Sequence, residues 1–399
     1  MLNVITVEEA ASLAASLARP VAQTEILSLP ELPGRVAAAD ITAKEDVPVF
    51  ARSTMDGYAV FAANTFGAGE SSPVDLTLTE PVQMGKPAAF TLYSGEAARI
   101  PTGGDLPHGA NAVVPMEYAE EDGFGSVLIY KGAAPREYVV RRGDDIAENA
   151  VLFRKGTRFT SVSVGALAAA GIETCAVLRR PRVGLFSTGV EVDPVSAPAA
   201  PGRVRDVNSH LISAMLYRYG CDPVFYGIAP DAEEAIAETL ERAAGENDLV
   251  LLSGGSSAGE QDLTARVLSR LGQVLAHGVA MKPGKPTVIG RVGDVPVFGL
   301  PGHPAACCFV TAAVVRPALE TLCGAPLPLR LISARLSENV SSNHGRTEFL
   351  CVKLEGDTAI PIYGKSGVVS QLSRADGYIR IDRDREGLEA GAEVAVRLF

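Results

Sequence analysis

Between residues 180 and 323, short unbroken aliphatic runs alternate with stretches of helical periodicity, and this alternation constrains the fold more than any other feature. VGLFS, PVFYGIA, DLVLLSGG, QVLAHGVAM, PTVIG and VPVFGLPG read as strands. The segments near Ser209 to Tyr219, Ala232 to Ala244 and Asp262 to Leu271, and a longer one from Ala305 to Leu322, place apolar residues at helical spacing. A strand that is aliphatic on both faces has to be covered on both faces, and amphipathic helices between such strands supply the cover. The expectation is an α/β domain around a mostly parallel sheet.

The flanks have a different texture. Thr6 to Ala18 carries aliphatic residues at helical spacing behind a Thr6 cap, so a short packing helix is expected. From about Val47 to Tyr138, short apolar runs are punctuated by glycine and proline (LTLTEPV, FTLYSG, AVVPMEY), as in a small, mostly β domain. Ser161 to Glu173 reads as a second capped helix ending at Gly171, and a domain boundary falls near Arg179. After Pro326 the runs GRTEFLCVKL, YIRIDRD and AEVAVRLF alternate with tight turns, which points to a compact C-terminal β-barrel. The fold class is therefore multi-domain, α/β plus β, and 399 residues suffice for two to four such units.

Composition removes several functions. The 36 basic residues are outnumbered by 47 acidic ones, a balance of −11 that argues against a broad nucleic-acid face. No apolar run approaches the roughly 20 residues that span a bilayer, and the start carries two glutamates without a basic leader, so no membrane partner and a cytoplasmic location are expected. Six scattered cysteines form no CxxC and read as reduced thiols. Five histidines without an HExxH pattern lower the case for a zinc protease or a serine hydrolase.

In an open parallel sheet, ligands bind beyond the carboxyl ends of the strands, where loops converge and helix N-termini present free N–H groups. Three small-residue loops stand at such ends: Ser187-Thr188-Gly189-Val190-Glu191, Ser253-Gly254-Gly255-Ser256-Ser257-Ala258-Gly259, and Pro301-Gly302-His303-Pro304. The second has the composition of a phosphate cradle, since glycines let backbone amides approach an oxyanion and hydroxyls add donors, although an ordinary strand-to-helix turn is written with the same residues. Lys282-Pro283-Gly284-Lys285-Pro286 puts two ammonium groups on a stiff turn, a counter-charge for an oxyanion or simply a solvated basic turn. Glu191, Asp231 and Asp262 each follow an apolar strand and could hold Mg²⁺ beside a phosphate; Asp231 is equally suited to cap the helix behind it. Carboxylates and lysines around one cleft make sense if a divalent cation mediates, so the expected ligand is a phosphate with Mg²⁺.

Along the chain stand, in order, Ser53-Thr54-Met55-Asp56-Gly57-Tyr58-Ala59, Ile100-Pro101-Thr102-Gly103 with Leu106-Pro107, and Arg142-Gly143-Asp144-Asp145-Ile146. They continue with Ser187-Thr188-Gly189 and Glu191, SGGSSAGEQD, KPGKP and Gly299-Leu300-Pro301-Gly302. This series resembles the MoeA and gephyrin E-domain family of molybdopterin molybdenumtransferases over essentially the whole chain. The resemblance implies insertion of molybdate into adenylylated molybdopterin, assisted by Mg²⁺, with release of AMP. It implies that Glu191 and Asp262 hold Mg²⁺, and that the Ser253 to Gly259 loop, with Gly254, Gly255, Ser257 and Gly259, receives the phosphate. Ser187, Thr188, Gly189, Pro301 and Gly302 would complete that cleft; Lys282, Lys285, Arg346 and Ser370 would bind molybdate; Asp56, Thr102, Asp145 and Asp231 would be needed for activity.

It also implies a domain plan: an N-terminal elongated, dimerising domain of residues 1–48 and 141–178, a small β domain of 49–140, the α/β domain of 179–324, and the barrel of 325–399. The expected assembly is a homodimer whose cleft takes Asp56 and Thr102 from the partner subunit, and the molybdopterin adenylyltransferase is a possible further partner. A molybdopterin adenylyltransferase or a gephyrin-like scaffold without catalysis are the alternatives. There are three departures from the family pattern: His303 stands where GLPGNP has an amide, Ala305-Ala306 replaces a region that often holds a hydroxyl, and Ser256 and Ala258 replace larger aliphatic residues.

Overall fold

A computed structural model describes residues 4–254, 258–364 and 367–399, the side chains of 258–262 excepted. Two compact units emerge, one of residues 1–25, 34–38 and 176–399, the other of 26–33 and 39–175.

In the first unit a six-stranded sheet runs in the order Asp222–Ala229, Arg182–Thr188, Leu249–Ser253, Val295–Leu300, Val288–Val292, Gln273–His277. Alternate side chains go to opposite faces, as pleating requires. Val183, Leu185, Leu249, Leu251 and Phe298 join one buried cluster with the helices Val7–Leu17 and Asn208–Arg218. Phe186, Val250, Leu252 and Val297 join another with the helices Glu233–Glu246 and Ala258–Leu271. The first four strands are parallel. Val288–Val292 is the exception to the parallel run expected of PTVIG: it pairs antiparallel with both neighbours. Its link to Val295–Leu300 is Gly293-Asp294, with Gly293 at φ +59, and so short a turn joins only antiparallel strands.

The N-terminal helix is capped as its sequence indicates, Glu9 N–H donating to Thr6 Oγ1 at 3.1 Å and Thr6 N–H to Glu9 Oε2 at 2.7 Å. The long helix expected after the third loop spans Pro304–Cys323 with a π-helical turn, Thr311–Val315, inside it. Pro317 has no N–H to donate, and the Arg316 N–H reaches back to Thr311 O, which widens the turn. By length and composition this is the one helix among the described residues that could cross a membrane, yet 67% of its most apolar window is buried inside the fold, as befits a core helix.

Still in this unit, Thr347–Glu355, Thr358–Pro361, Leu331–Leu336, Glu393–Leu398 and Gly377–Ile381 pair in that order, and the last returns to the first, closing a barrel around Leu336, Val352, Ile379 and Val396. Met281–Lys282 adds a short parallel strand to its Thr347–Glu355 edge. All six cysteines are buried and none forms a disulfide, and burial pushes the Cys308 thiol up to about 12.

The second unit is built on a six-stranded sheet, Ala112–Pro115, Gly57–Val60, Glu96–Ile100, Val74–Leu78, Ser126–Ile129, Ala119–Glu121. Tyr58, Val60, Leu76, Val114 and Ile129 fill its core. Gly57 is required by close approach, since a Cβ there would sit 2.1 Å from Val114 O. The helix Ser161–Ala169 is capped by Thr160, one residue before the expected segment, and ends ahead of Gly171 at φ +67.

Candidate active site

The ends of the strands Arg182–Thr188 and Leu249–Ser253, with the loop after Val295–Leu300, border a cavity of about 630 Å³ in the first unit. Ser187, Thr188, Glu191, Gly254 and Gly302, all singled out from sequence, line it together with His303. The hydrogen-bonded ladder carries the three strands in register to this edge and stops there, Ser187 opposite Ser253 and Ser253 opposite Leu300. The Gly254 N–H makes one further bond to Leu300 O at 3.3 Å. Gly189 stands at φ +132, a backbone conformation that side-chain-bearing residues rarely adopt, and a Cβ there would press to 3.0 Å against Glu191 Oε2.

Two residues of this wall escaped sequence reasoning. Asp206 is only 4% exposed; its Oδ2 accepts from Ser187 Oγ at 2.9 Å and its Oδ1 from Ser209 N–H at 3.1 Å. Asn208, 7% exposed, donates through Nδ2 to Ser253 Oγ at 2.8 Å and to Gly302 O at 2.7 Å. The available signal was Asp-Val-Asn just ahead of an apolar-periodic helix, a cap-type composition.

Charge in the cavity is unevenly committed. Arg203 Nε donates to Asp193 Oδ2 at 2.9 Å and also binds Val190 O; this guanidinium holds the Asp193 carboxyl below the usual range. Glu191 makes no ion pair among the described residues, although Arg203 feels its charge. The Glu191 carboxylate and the Thr188 hydroxyl line the same cavity, and hard oxygens of this kind suit a Mg²⁺ that takes one or two carboxylates and completes its shell from a phosphate and water. No group of three or more His, Cys, Asp or Glu side chains forms a ready-made metal cage among the described residues. Gly255 and Ser257 lie outside the described residues; Gly259 and Asp262 belong to the helix Ala258–Leu271, with the Asp262 side chain outside them.

Other expected residues do not line this cavity. The Lys282–Lys285 turn leaves the sheet between Gln273–His277 and the reversed Val288–Val292, hence at the same edge as the three loops. Lys282 Nζ pairs with Glu348 Oε1 at 2.9 Å, opposite it in register, while Lys285 and Arg346 are exposed. Ser370 is exposed on the helix Val369–Arg374, whose first residue does reach the cavity. Pro301 is buried directly after the strand end. Asp231 is not a helix cap: that position belongs to Ala232, and Asp231 Oδ1 is buried without a partner among the described residues.

In the second unit, Asp56 and Thr102 meet. Thr102 N–H donates to Asp56 Oδ1 at 2.7 Å, beside a cavity of about 310 Å³ lined by Asp56, Arg99 and Pro101. This amide, with the Thr102 side chain, holds the exposed Asp56 carboxyl below its usual range. Asp145 is exposed and anchored through its backbone, its N–H donating to Val47 O at 3.1 Å, whereas the adjacent Asp144 is occupied by Arg141.

Family models match along the chain: the MoeA N-terminal region (domain I and II) over residues 5–171, a probable molybdopterin binding domain over 184–321, and the MoeA C-terminal region (domain IV) over 333–399. A putative molybdopterin biosynthesis protein of Methanocaldococcus jannaschii is 35% identical, covering 92% of this chain and 89% of its own. Molybdopterin molybdenumtransferase 2 of Mycobacterium tuberculosis is 34% identical over 92% of this chain and 93% of that one. The crystal structure of a molybdopterin biosynthesis moeA protein from Pyrococcus horikoshii OT3 superposes with a TM-score of 0.89 at 32% identity, covering 99% of this chain and 100% of that one.

Proposed function

We proceed from the fact that the chain belongs to the MoeA family, and we propose that it completes molybdenum cofactor biosynthesis by inserting molybdate into adenylylated molybdopterin and releasing AMP. It is a molybdopterin molybdenumtransferase, as relatives of 30–34% identity over most of their length are named. The observation that carries the finer reading is the cavity: the ends of three strands border a space with small residues, buried hydroxyls and the Glu191 carboxylate, which makes no ion pair among the described residues. Those are the requirements of a phosphate held by backbone N–H groups beside a hard cation.

In this reading the Ser253 to Gly259 loop binds the phosphate of the adenylyl group, and Ser187, Thr188, Gly189, Pro301 and Gly302 shape the cleft around it. Glu191 and Asp262 hold Mg²⁺, which when bound offsets phosphate charge during P–O cleavage. Lys282, Lys285, Arg346 and Ser370 gather molybdate next to the dithiolene sulfurs. Lys282 keeps donors for that task, because an ammonium has three N–H groups and Glu348 needs one. Asp56, Thr102, Asp145 and Asp231 orient the ligands, Asp56 and Thr102 reaching the cleft from the partner subunit of a homodimer. The chain's main contributions are proximity and charge neutralisation. An adenylyltransferase would supply the substrate.

The test supplies adenylylated molybdopterin and Mg²⁺, titrates molybdate, and follows AMP release. Release that rises with molybdate and is abolished by chelating Mg²⁺ is expected. AMP formation indifferent to the oxyanion would overturn the reading.

A further inference from the structure

The sheet ladder holds the three cavity strands together only as far as Ser187, Ser253 and Leu300. Beyond it stand Gly189, Gly254 and Gly302, residue types that by themselves fix the backbone least, just where a phosphate needs converging N–H groups. One short segment bridges them. Asp206 takes the Ser187 hydroxyl, and Asn208, two residues on, uses both protons of its amide nitrogen, one on Ser253 Oγ and one on the carbonyl of Gly302. The same segment starts the helix Asn208–Arg218, with Asp206 Oδ1 accepting the Ser209 N–H, so the bridge is rooted in a rigid element. Ser253 also contacts the buried Cys307 thiol on the core helix. Asp206 and Asn208 both border the cavity while being more than nine-tenths buried. Asn208 Oδ1 is buried and accepts no hydrogen bond among the described residues, a cost tolerated at a ligand-facing wall and hard to explain in a residue kept for packing.

We propose that Asp206 and Asn208 are positioning residues, a clamp that ties together the ends of the three strands at Ser187, Ser253 and Gly302 and holds the cavity-facing backbone there, Gly254 included, in its binding shape before the ligand arrives. Preorganisation of this kind lowers the ordering cost of binding and acts on affinity rather than on bond cleavage. Neither residue needs to touch the reacting atoms. The affinity part of this inference rests on the proposed function; the clamp itself does not.

Two measurements separate the two claims. Amide hydrogen exchange of the ligand-free protein reads the clamp directly: Asn208→Asp, which keeps the volume and removes both donated protons, should speed exchange at Gly254 at least tenfold and leave Leu251 and Leu252 in the same strand as protected as before. Calorimetry with AMP and Mg²⁺ reads the consequence: roughly tenfold weaker binding, equivalent to about 1.4 kcal/mol, and in turnover a rise in KM for the adenylylated pterin with kcat within about twofold. Should Asn208→Asp fail to fold, Ser253→Ala removes one clamp bond from the other side and is expected to move both readouts in the same direction by less. Exchange at Gly254 equal to the wild type in a folded variant overturns the clamp. So does uniform acceleration across the sheet with AMP affinity unchanged, the mark of a residue that only stabilises the fold. A wild-type protein that binds no AMP refutes the catalytic reading, while exchange at Gly254 still decides whether the clamp exists.

Discussion

The cavity edge of the α/β region and the Asp56 corner of the other unit both display residues expected to act in catalysis, yet they are constructed in opposite ways. At the cavity, buried Ser187 is hydrogen-bonded to Asp206 and buried Ser253 to Asn208, so the cavity-facing backbone is defined by a polar framework behind it. At the corner, Asp56 is an exposed carboxylate, and Thr102 on a neighbouring turn supplies its hydrogen bonds. The contrast separates two duties: one region supplies shape and the other supplies charge. Shape depends on many buried neighbours and is easily damaged through folding. Charge depends on a single side chain and can be removed with the fold intact.

The comparison can be broken most forcefully through stability. Phe298→Ala empties a fully buried position on the central sheet and should cost about 3–5 kcal/mol, whereas Asp56→Asn should stay within about 0.5 kcal/mol of wild type. Urea unfolding followed by circular dichroism measures both, and a large loss in Asp56→Asn would erase the distinction. Activity comes next: Asp56→Asn and Glu191→Gln should each reduce molybdate-dependent AMP release by about 100-fold at unchanged unfolding midpoint. A full-rate Asp56→Asn enzyme would strip the corner of its duty. Lys282→Met tests a smaller effect. Its ion pair with Glu348 is half exposed on the lysine side, so the stability change should be at most about 1 kcal/mol, with a clearer loss in apparent molybdate affinity.

The smallest effect is one of protonation. Because hydrogen bonds to Thr102 favour the ionised form, the Asp56 carboxyl should titrate below the ordinary 3.8, as read from its side-chain carbon by NMR. A carboxyl depressed in the folded state contributes its stabilisation at pH values above its unfolded value and loses it as pH falls through the folded one. Asp56 is therefore ionised throughout pH 5–8, and no limb of the activity profile in that window should disappear in Asp56→Asn. A midpoint at or above 3.8 would contradict the hydrogen-bond assignment.

What the sequence made legible follows the same division. Aliphatic runs and capped helices announce themselves locally, so the α/β sheet, the Thr6-capped helix and the closing barrel could be read from their periods. The reversed Val288–Val292 strand could not, because a buried antiparallel strand is as aliphatic as a parallel one; only the shortness of Gly293-Asp294 betrays it. The strand-end loops led correctly to Ser187, Thr188, Glu191, Gly254 and Gly302 around one cavity. Asp206 and Asn208 were missed since their partners lie 19, 45 and 94 residues away, and such pairings leave no local pattern. Lys282 was expected on the KPGKP turn but ends the short strand Met281–Lys282, and its partner Glu348 lies on the separate strand Thr347–Glu355 and had no signature.

The reversed strand also has a practical side. It carries the chain from the cavity edge of the sheet to the opposite edge, where Gly293 and Asp294 turn it back. Whatever is attached at that turn, whether a fluorophore, an affinity handle or a tether to a solid support, stands the full length of the strands away from the cavity. The hairpin is thus the natural handle by which this protein can be held, oriented and watched while it works.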